Sequence, residues 1–270
     1  MKLVVLSDIH IDLPLEDQKY PDNLARLETA IERINTAYSD VDLVVFAGDL
    51  ADRGRFAAPY EALKDALTHL SAPYALTIGN HDDRDSFCGV FGNAYADENG
   101  YIQSAHKLGG THVLVLDSAA GAPAPDGFRG ARAAWGQLCA KRLDVLQHWL
   151  QEANGQPVIV ILHHPPLPLG LWGDPMLLRE PGALIDMLAD YENVRQVISG
   201  HIHMTTTAFH RGIPFTTIAG GCTTVVEDIG RRENRRRRTG PAQMAIVLSN
   251  AEQTTVHFDN YVDAHPTFSK

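Results

Sequence analysis

An α/β fold, built as a four-layer α/β/β/α sandwich of two mixed sheets packed face to face and flanked by helices, is the class this sequence predicts. Three observations predict it. Short continuous apolar runs alternate with segments of helical periodicity through the first 200 residues, as in a mainly parallel sheet covered by helices. Beyond Gly200 come strand-like stretches with no helix between them, which read as an antiparallel meander or second sheet. No Pro-, Gly- or Ser-rich linker, repeat or low-complexity stretch divides the 270 residues. Residues 1–221 are therefore expected to form the core and 222–270 a C-terminal β extension of the same domain.

The first strand is the buried-type run 2–7, and a helix follows with Leu24, Leu27, Ile31, Ile34 and Tyr38 at helical spacing after Pro21 and Asp22. A second apolar run spans 43–47. The next helix carries Tyr60, Leu63, Leu67 and Leu70 on one stripe, and strand 74–78 completes a β-α-β-α-β series. Residues 83–105 read as loop. Strand 112–117, a Gly/Pro/Ala-rich loop 119–134, a helix using Leu143, Leu146 and Leu150, and strand 158–162 come next. A loop over 165–180, a helix around 181–191 and strand 195–199 follow, and 213–218, 243–248 and 254–259 are the last expected strands.

Composition sets limits on function. The chain is long enough to bury a large core without disulfides, and its three cysteines, Cys88, Cys139 and Cys222, are odd in number and far apart. They argue for a reducing compartment, and cytoplasm is the expected location. The amino terminus lacks the apolar stretch of a signal peptide, and no stretch approaches a membrane span. A net charge of −10 disfavours general nucleic-acid binding, which needs clustered Lys and Arg. The run from Arg231 to Arg238 is the exception, expected as a solvated loop between two β-like stretches.

The chemistry lies at the strand ends. The apolar runs terminate in Asp8 and His10, in Asp49, in Asn80 and His81, in His163 and His164, and in His201 and His203. In an open α/β sheet the carboxyl ends of strands are where ligands bind. Mixed oxygen and nitrogen donors suit Mn, Fe, Zn or Co better than an all-oxygen Mg or Ca cage. The donors are too many for one open tetrahedral ion, so two metals sharing a bridging carboxylate are expected. Seven other histidines, at 69, 106, 112, 148, 210, 257 and 265, lie outside these segments and are expected to be structural or exposed. Asp82 is expected to support the site from behind, while Asp52 and Arg53 suit turn or capping roles as well as pocket lining.

Asp8-Ile9-His10, Gly48-Asp49, Gly79-Asn80-His81-Asp82, His163-His164 and Gly200-His201-Ile202-His203, in this order, resemble the motifs of the calcineurin-like metallophosphoesterases over residues 3 to about 221. The resemblance implies one metal held by Asp8, His10, Asp49 and His203 and a second by Asp49, Asn80, His163 and His201, with Asp49 bridging. His163 is preferred to His164 because the family's ligand directly follows the strand. The resemblance further implies that His81 touches substrate phosphate; Asn80, His164 and His201 are further candidates to line the substrate site.

The stretches Gly79–Arg84 and His163–Gly170 are similar to those of the bacterial class III cyclic-nucleotide phosphodiesterases and glycerophosphodiesterases. That likeness implies hydrolysis of small phosphodiesters, with 3′,5′-cyclic nucleotides such as cAMP ahead of glycerophosphodiesters or a broad phosphoester range. A noncatalytic scaffold of the same fold would have lost ligand residues, and here the set is complete. The C-terminal segment suits a possible homodimer, as in relatives that dimerise. Phe91, Tyr95 and Trp172 are candidates to stack on a base.

Overall fold

The computed structural model describes residues 1–12, 22–121, 133–227, 229 and 236–263. Two sheets stand face to face. The first holds β1 (Lys2–Leu6), β2 (Leu43–Ala47), β3 (Tyr74–Thr77), β12 (Ala242–Ser249) and β13 (Thr254–Val262). Its order is β13-β12-β1-β2-β3, with β1, β2 and β3 parallel and β12 antiparallel to β1. The second holds β4 (Ser104–Leu108), β5 (Thr111–Leu116), β6 (Val158–Leu162), β7 (Val194–Ser199), β8 (Thr206–His210) and β9 (Ile213–Thr217). Here the order is β4-β5-β6-β7-β9-β8, parallel from β5 to β9 with an antiparallel strand at each edge. A two-stranded ribbon of β10 (Thr224–Val226) and β11 (Arg236–Arg238) stands apart.

Side-chain alternation along each strand makes the four layers. Leu3 and Val5, Leu43 and Val45, Ile159 and Ile161, Val113 and Val115, with Ile198, fill the space between the sheets. Their alternates point outward. Val4, Leu6, Val44 and Phe46 meet α1 (Asn23–Ala37), α2 (Ala58–Leu67) and α3 (Arg84–Phe91). Val158, Val160 and Leu162 meet α4 (Ala140–Glu152) and α5 (Gly182–Ala189). Strands covered on both faces read as unbroken apolar runs, which is why the central strands were evident from sequence.

Four expectations need correction. The final third is not a separate meander: β9 runs parallel to β7 in the second sheet, while β12 and β13 complete the first. Residues 83–105 contain α3, a short 3-10 turn at Asn93–Tyr95 and the start of β4. Within it, Phe91 and Tyr95 pack edge and face against Phe87 and join the outer core, which withdraws them as base-stacking candidates. Of the arginine run, 231–235 lie outside the described residues, and Arg236–Arg238 form exposed strand β11 rather than loop. No helix among the described residues is long and apolar enough to cross a membrane.

Candidate metal centre

The parallel strands of both sheets deliver their carboxyl ends to one side, and the loops that follow carry the predicted residues. Asp8, His10, Asp49, His201 and His203 all adopt positive φ, between 49° and 73°. Such conformations are disfavoured for residues with a Cβ and cluster where a site demands them. The glycines between them are fixed by crowding: a Cβ on Gly79 would come within 2.6 Å of the Asp49 nitrogen and His163 Nε2, and one on Gly200 would collide with Ser7 and Asp8.

Asp8, His10, Asp49, His163, His164 and His203 are buried, and Asn80, His81 and His201 half-buried. Asp8 and His10 group with His203, and Asp8 and Asp49 with His163. His10 and Asp49 also group with His81, and His163 and His164 with His201; the ligating atoms within each group lie within 4.8 Å of one another. Asp49 joins the groups. Its Oδ2 lies 3.5 Å from His10 Nε2 and 3.3 Å from His163 Nε2, while its Oδ1 accepts the His81 backbone N–H at 2.8 Å. Asp8 Oδ1 lies 3.4 Å from His203 Nε2, and both Asp8 oxygens accept the His201 N–H.

Backbone carbonyls orient two of the imidazoles. A carbonyl only accepts, so Nδ1–H of His163 donates to Ala47 O at 2.9 Å and Nδ1–H of His203 donates to Thr223 O at 2.7 Å. Each Nε2 is turned inward as the atom that a metal would take, the orientation that such outer contacts give to metal-binding histidines.

The charges are consistent with a site made for cations. Burial alone would raise the Asp49 carboxyl, yet His163, His81 and His10 hold it well below its ordinary range. Asp8 is lowered likewise, its burial outweighed by His203 and His163. Burial opposes charge on His163 too, but the Asp49 carboxylate pulls this imidazole up to about 9. Burial pushes His201 down to about 3 and His203 to about 4. Those two stay neutral imidazoles at neutral pH.

The donor set fits divalent metals. Asn80 Oδ1 and both ring nitrogens of His201 are buried and make no hydrogen bond among the described residues, a costly state unless a cation completes it. His10 Nε2 and His203 Nε2 stand 3.3 Å apart. Two nitrogens about 2.0–2.1 Å from a tetrahedral ion are separated by about 3.3–3.4 Å, so that spacing suits a shared metal.

Sequence reasoning left Asp52 between a turn role and pocket lining, and passed over Ser118 and Asp12. Asp52 sits behind two imidazoles, its Oδ1 3.3 Å from His10 Nδ1 and 3.4 Å from His81 Nδ1, and its carbonyl accepts from His81 Nδ1 at 2.9 Å. An aspartate three residues beyond a ligand was the available signal. Asp82 accepts the N–H groups of Leu50, Ala51 and Gly79 and the Tyr60 hydroxyl, tying the Asp49 and Asn80 loops together as expected. Ser118 contacts His164, and Asp12 pairs with Arg53. Trp172, partly exposed, donates its backbone N–H to Glu227 Oε1. None of the described histidines outside the motifs joins the metal-type groups; His265 lies outside the described residues.

The layered fold and the cluster of candidate metal donors at its strand ends are the features of a metallophosphoesterase. The model of the calcineurin-like phosphoesterase family matches residues 1–205, and the chain belongs to that family. It is 31% identical to a probable cyclic nucleotide phosphodiesterase of Rhodopseudomonas palustris, over 100% of this chain and 96% of that one. It is 26% identical to a probable glycerophosphodiester phosphodiesterase of Arcobacter nitrofigilis, covering 97% and 93% respectively. Among solved structures, a dimetal phosphatase from Danio rerio superposes with TM-score 0.70 at 15% identity, over 97% of this chain and 96% of that one, a likeness of fold. Members of the family use divalent metals, and the side chains present suit them.

Proposed function

We propose that this phosphoric diester hydrolase acts on small phosphodiesters, 3′,5′-cyclic nucleotides with cAMP first among them, at a centre of two divalent metals. The observation that carries the reading is Asp49 Oδ2, placed between His10 Nε2 and His163 Nε2 at 3.5 and 3.3 Å. Asp8, His10, Asp49 and His203 would hold one metal, and Asp49, Asn80, His163 and His201 the other. Mn, Fe, Zn and Co all suit such mixed donors.

When bound, the pair would lower the pKa of water and neutralise phosphate charge. The protein supplies the remainder. Asp49 and Asp8 stay ionised across the neutral range because imidazoles surround them. Asp82 and Asp52 hold the loops, so little reorganisation accompanies the reaction. His81 has Nδ1 committed to the Asp52 carbonyl, which leaves Nε2 to meet the phosphate or to protonate the departing alkoxide.

The choice of cyclic nucleotides follows the full-length likeness to a protein named for that activity. Glycerophosphodiesters are the second reading, supported by the other likeness. Residues 222–270 are taken as part of the same domain, with β13 at a sheet edge where a second copy could pair. Turnover of cAMP, glycerophosphocholine, p-nitrophenyl phosphate and its bis ester tests the proposal. The diesters are expected to be hydrolysed faster than the monoester, and cAMP faster than glycerophosphocholine. A faster monoester would overturn the diesterase assignment.

A further inference from the structure

The two adjacent histidines at the end of β6 have different Nδ1 partners. His163 is fixed with its proton on Nδ1 by the Ala47 carbonyl. His164 faces a hydroxyl instead: Ser118 Oγ lies 2.9 Å from His164 Nδ1 and also accepts the His164 backbone N–H at 3.1 Å. Ser118 and His164 are both fully buried, and among the described residues this hydroxyl makes no other hydrogen bond. A hydroxyl that already accepts needs a destination for its own proton, and His164 Nδ1 is the acceptor at hand. Donation there places the His164 ring proton on Nε2. That atom is buried and makes no hydrogen bond.

The surroundings make this arrangement rigid. Asp117, next to Ser118, is gripped by Arg84 through Nε and Nη2, both at 2.8 Å, and Arg142 Nη1 donates to the carbonyls of Asp117 and Ala119. A Cβ on Gly136 would come within 2.6 Å of the His164 Cβ, so the ring is wedged from that side. The His164 ring centroid lies 4.7 Å from that of His201 and 4.8 Å from that of His163.

We propose that Ser118 holds His164 in the Nε2–H tautomer, and that His164 is a donor to a phosphoryl oxygen of bound substrate rather than a metal ligand. This rests on the phosphoester reading of the site. A protonated nitrogen beside the metal-binding imidazoles cannot coordinate; it pairs with an oxygen that the cation attracts. His164 then contacts substrate, and Ser118 is a positioning residue.

Two-bond 1H–15N correlation spectra of the zinc-loaded protein, with and without inorganic phosphate, test the tautomer and the contact. The expected spectrum has the pyrrole-type nitrogen of His164 at Nε2, and phosphate shifts it. A pyridine-type Nε2, or one that phosphate leaves unmoved, would overturn the proposal. His164→Ala is expected to keep the wild-type metal content, to weaken phosphate binding and to lower kcat/KM for a diester about 100-fold, the scale of one oxyanion donor. His164→Gln, which keeps an N–H near the Nε2 position, and Ser118→Thr should each recover most of the activity, and Ser118→Ala should not. Loss of a metal equivalent in His164→Gln would make His164 a ligand instead. Should the wild type hydrolyse no diester, the substrate reading falls, while the phosphate spectra still decide the role of His164.

Discussion

His10 and His203, separated by 193 residues in sequence, face each other through Nε2 atoms 3.3 Å apart in a buried wall. His203 presents a lone pair there, because its Nδ1–H donates to Thr223 O. His10 has Asp52 Oδ1 behind its Nδ1 at 3.3 Å, which directs its Nε2 inward as well. Two imidazole nitrogens at that distance are spaced to share a cation.

Chelation should therefore destabilise the protein. Metal at 100 times its dissociation constant stabilises the folded state by about 2.7 kcal/mol, and each kcal/mol is worth roughly 2–4 °C in a chain of this size. Differential scanning fluorimetry with EDTA should show Tm falling by roughly 5–10 °C, restored by excess Mn or Zn. An unchanged Tm would argue against a structural cation between these imidazoles.

Gly79 should not tolerate alanine. Its added Cβ would press on the Asp49 backbone and on His163 Nε2, both at 2.6 Å. A displacement of about 1 Å at a reacting group costs on the order of 100-fold in rate. Steady-state kinetics of Gly79→Ala should show that loss with the fold intact by circular dichroism; wild-type kcat/KM would mean the centre is looser than its packing.

Asp82 should carry stability rather than chemistry. Asp82→Ala leaves the N–H groups of Leu50, Ala51 and Gly79 without their acceptor in a buried loop. Each unsatisfied donor costs roughly 1–3 kcal/mol, so urea denaturation should show about 3 kcal/mol or more of destabilisation. A loss within about 0.5 kcal/mol, the range of ordinary surface changes, would be inconsistent with this anchoring role.

Much of the candidate site was legible because its donor residues follow strands, and a doubly covered strand is an unbroken apolar run. The elements missed lack that signature. β4 and β8 are edge strands with half their residues exposed, and β10 and β11 form an isolated ribbon, so none shows a continuous run. α3, RDSFCGVF, is a helix of only two turns containing Gly89, with Phe87 its one buried residue. Ser118 was hidden, and Asp52 left undecided, for another reason: a serine or aspartate in a loop looks like turn chemistry until the fold sets an imidazole beside it.

Cys139 gives a pH-dependent check on the neighbouring network. Burial pushes its thiol up, but hydrogen bonds from the Tyr101 hydroxyl and the Arg142 backbone prevail and lower it to about 7. The thiolate is the nucleophile, so its reactivity rises as pH climbs through that value. Burial raises the other two, Cys222 to about 11. Iodoacetamide labelling followed by mass spectrometry should modify Cys139 first, with a midpoint near pH 7 that moves upward in Tyr101→Phe. Equal labelling of Cys88 at pH 7 would contradict this.

Asp49 is the one side chain on which both proposed metal positions depend. Elemental analysis of metal equivalents per chain, on wild type and Asp49→Ala purified alike, tests it most directly. Two equivalents in the wild type and no more than one in Asp49→Ala, with hydrolysis abolished, are expected. An Asp49→Ala enzyme that keeps two equivalents and remains active would contradict a centre bridged by Asp49.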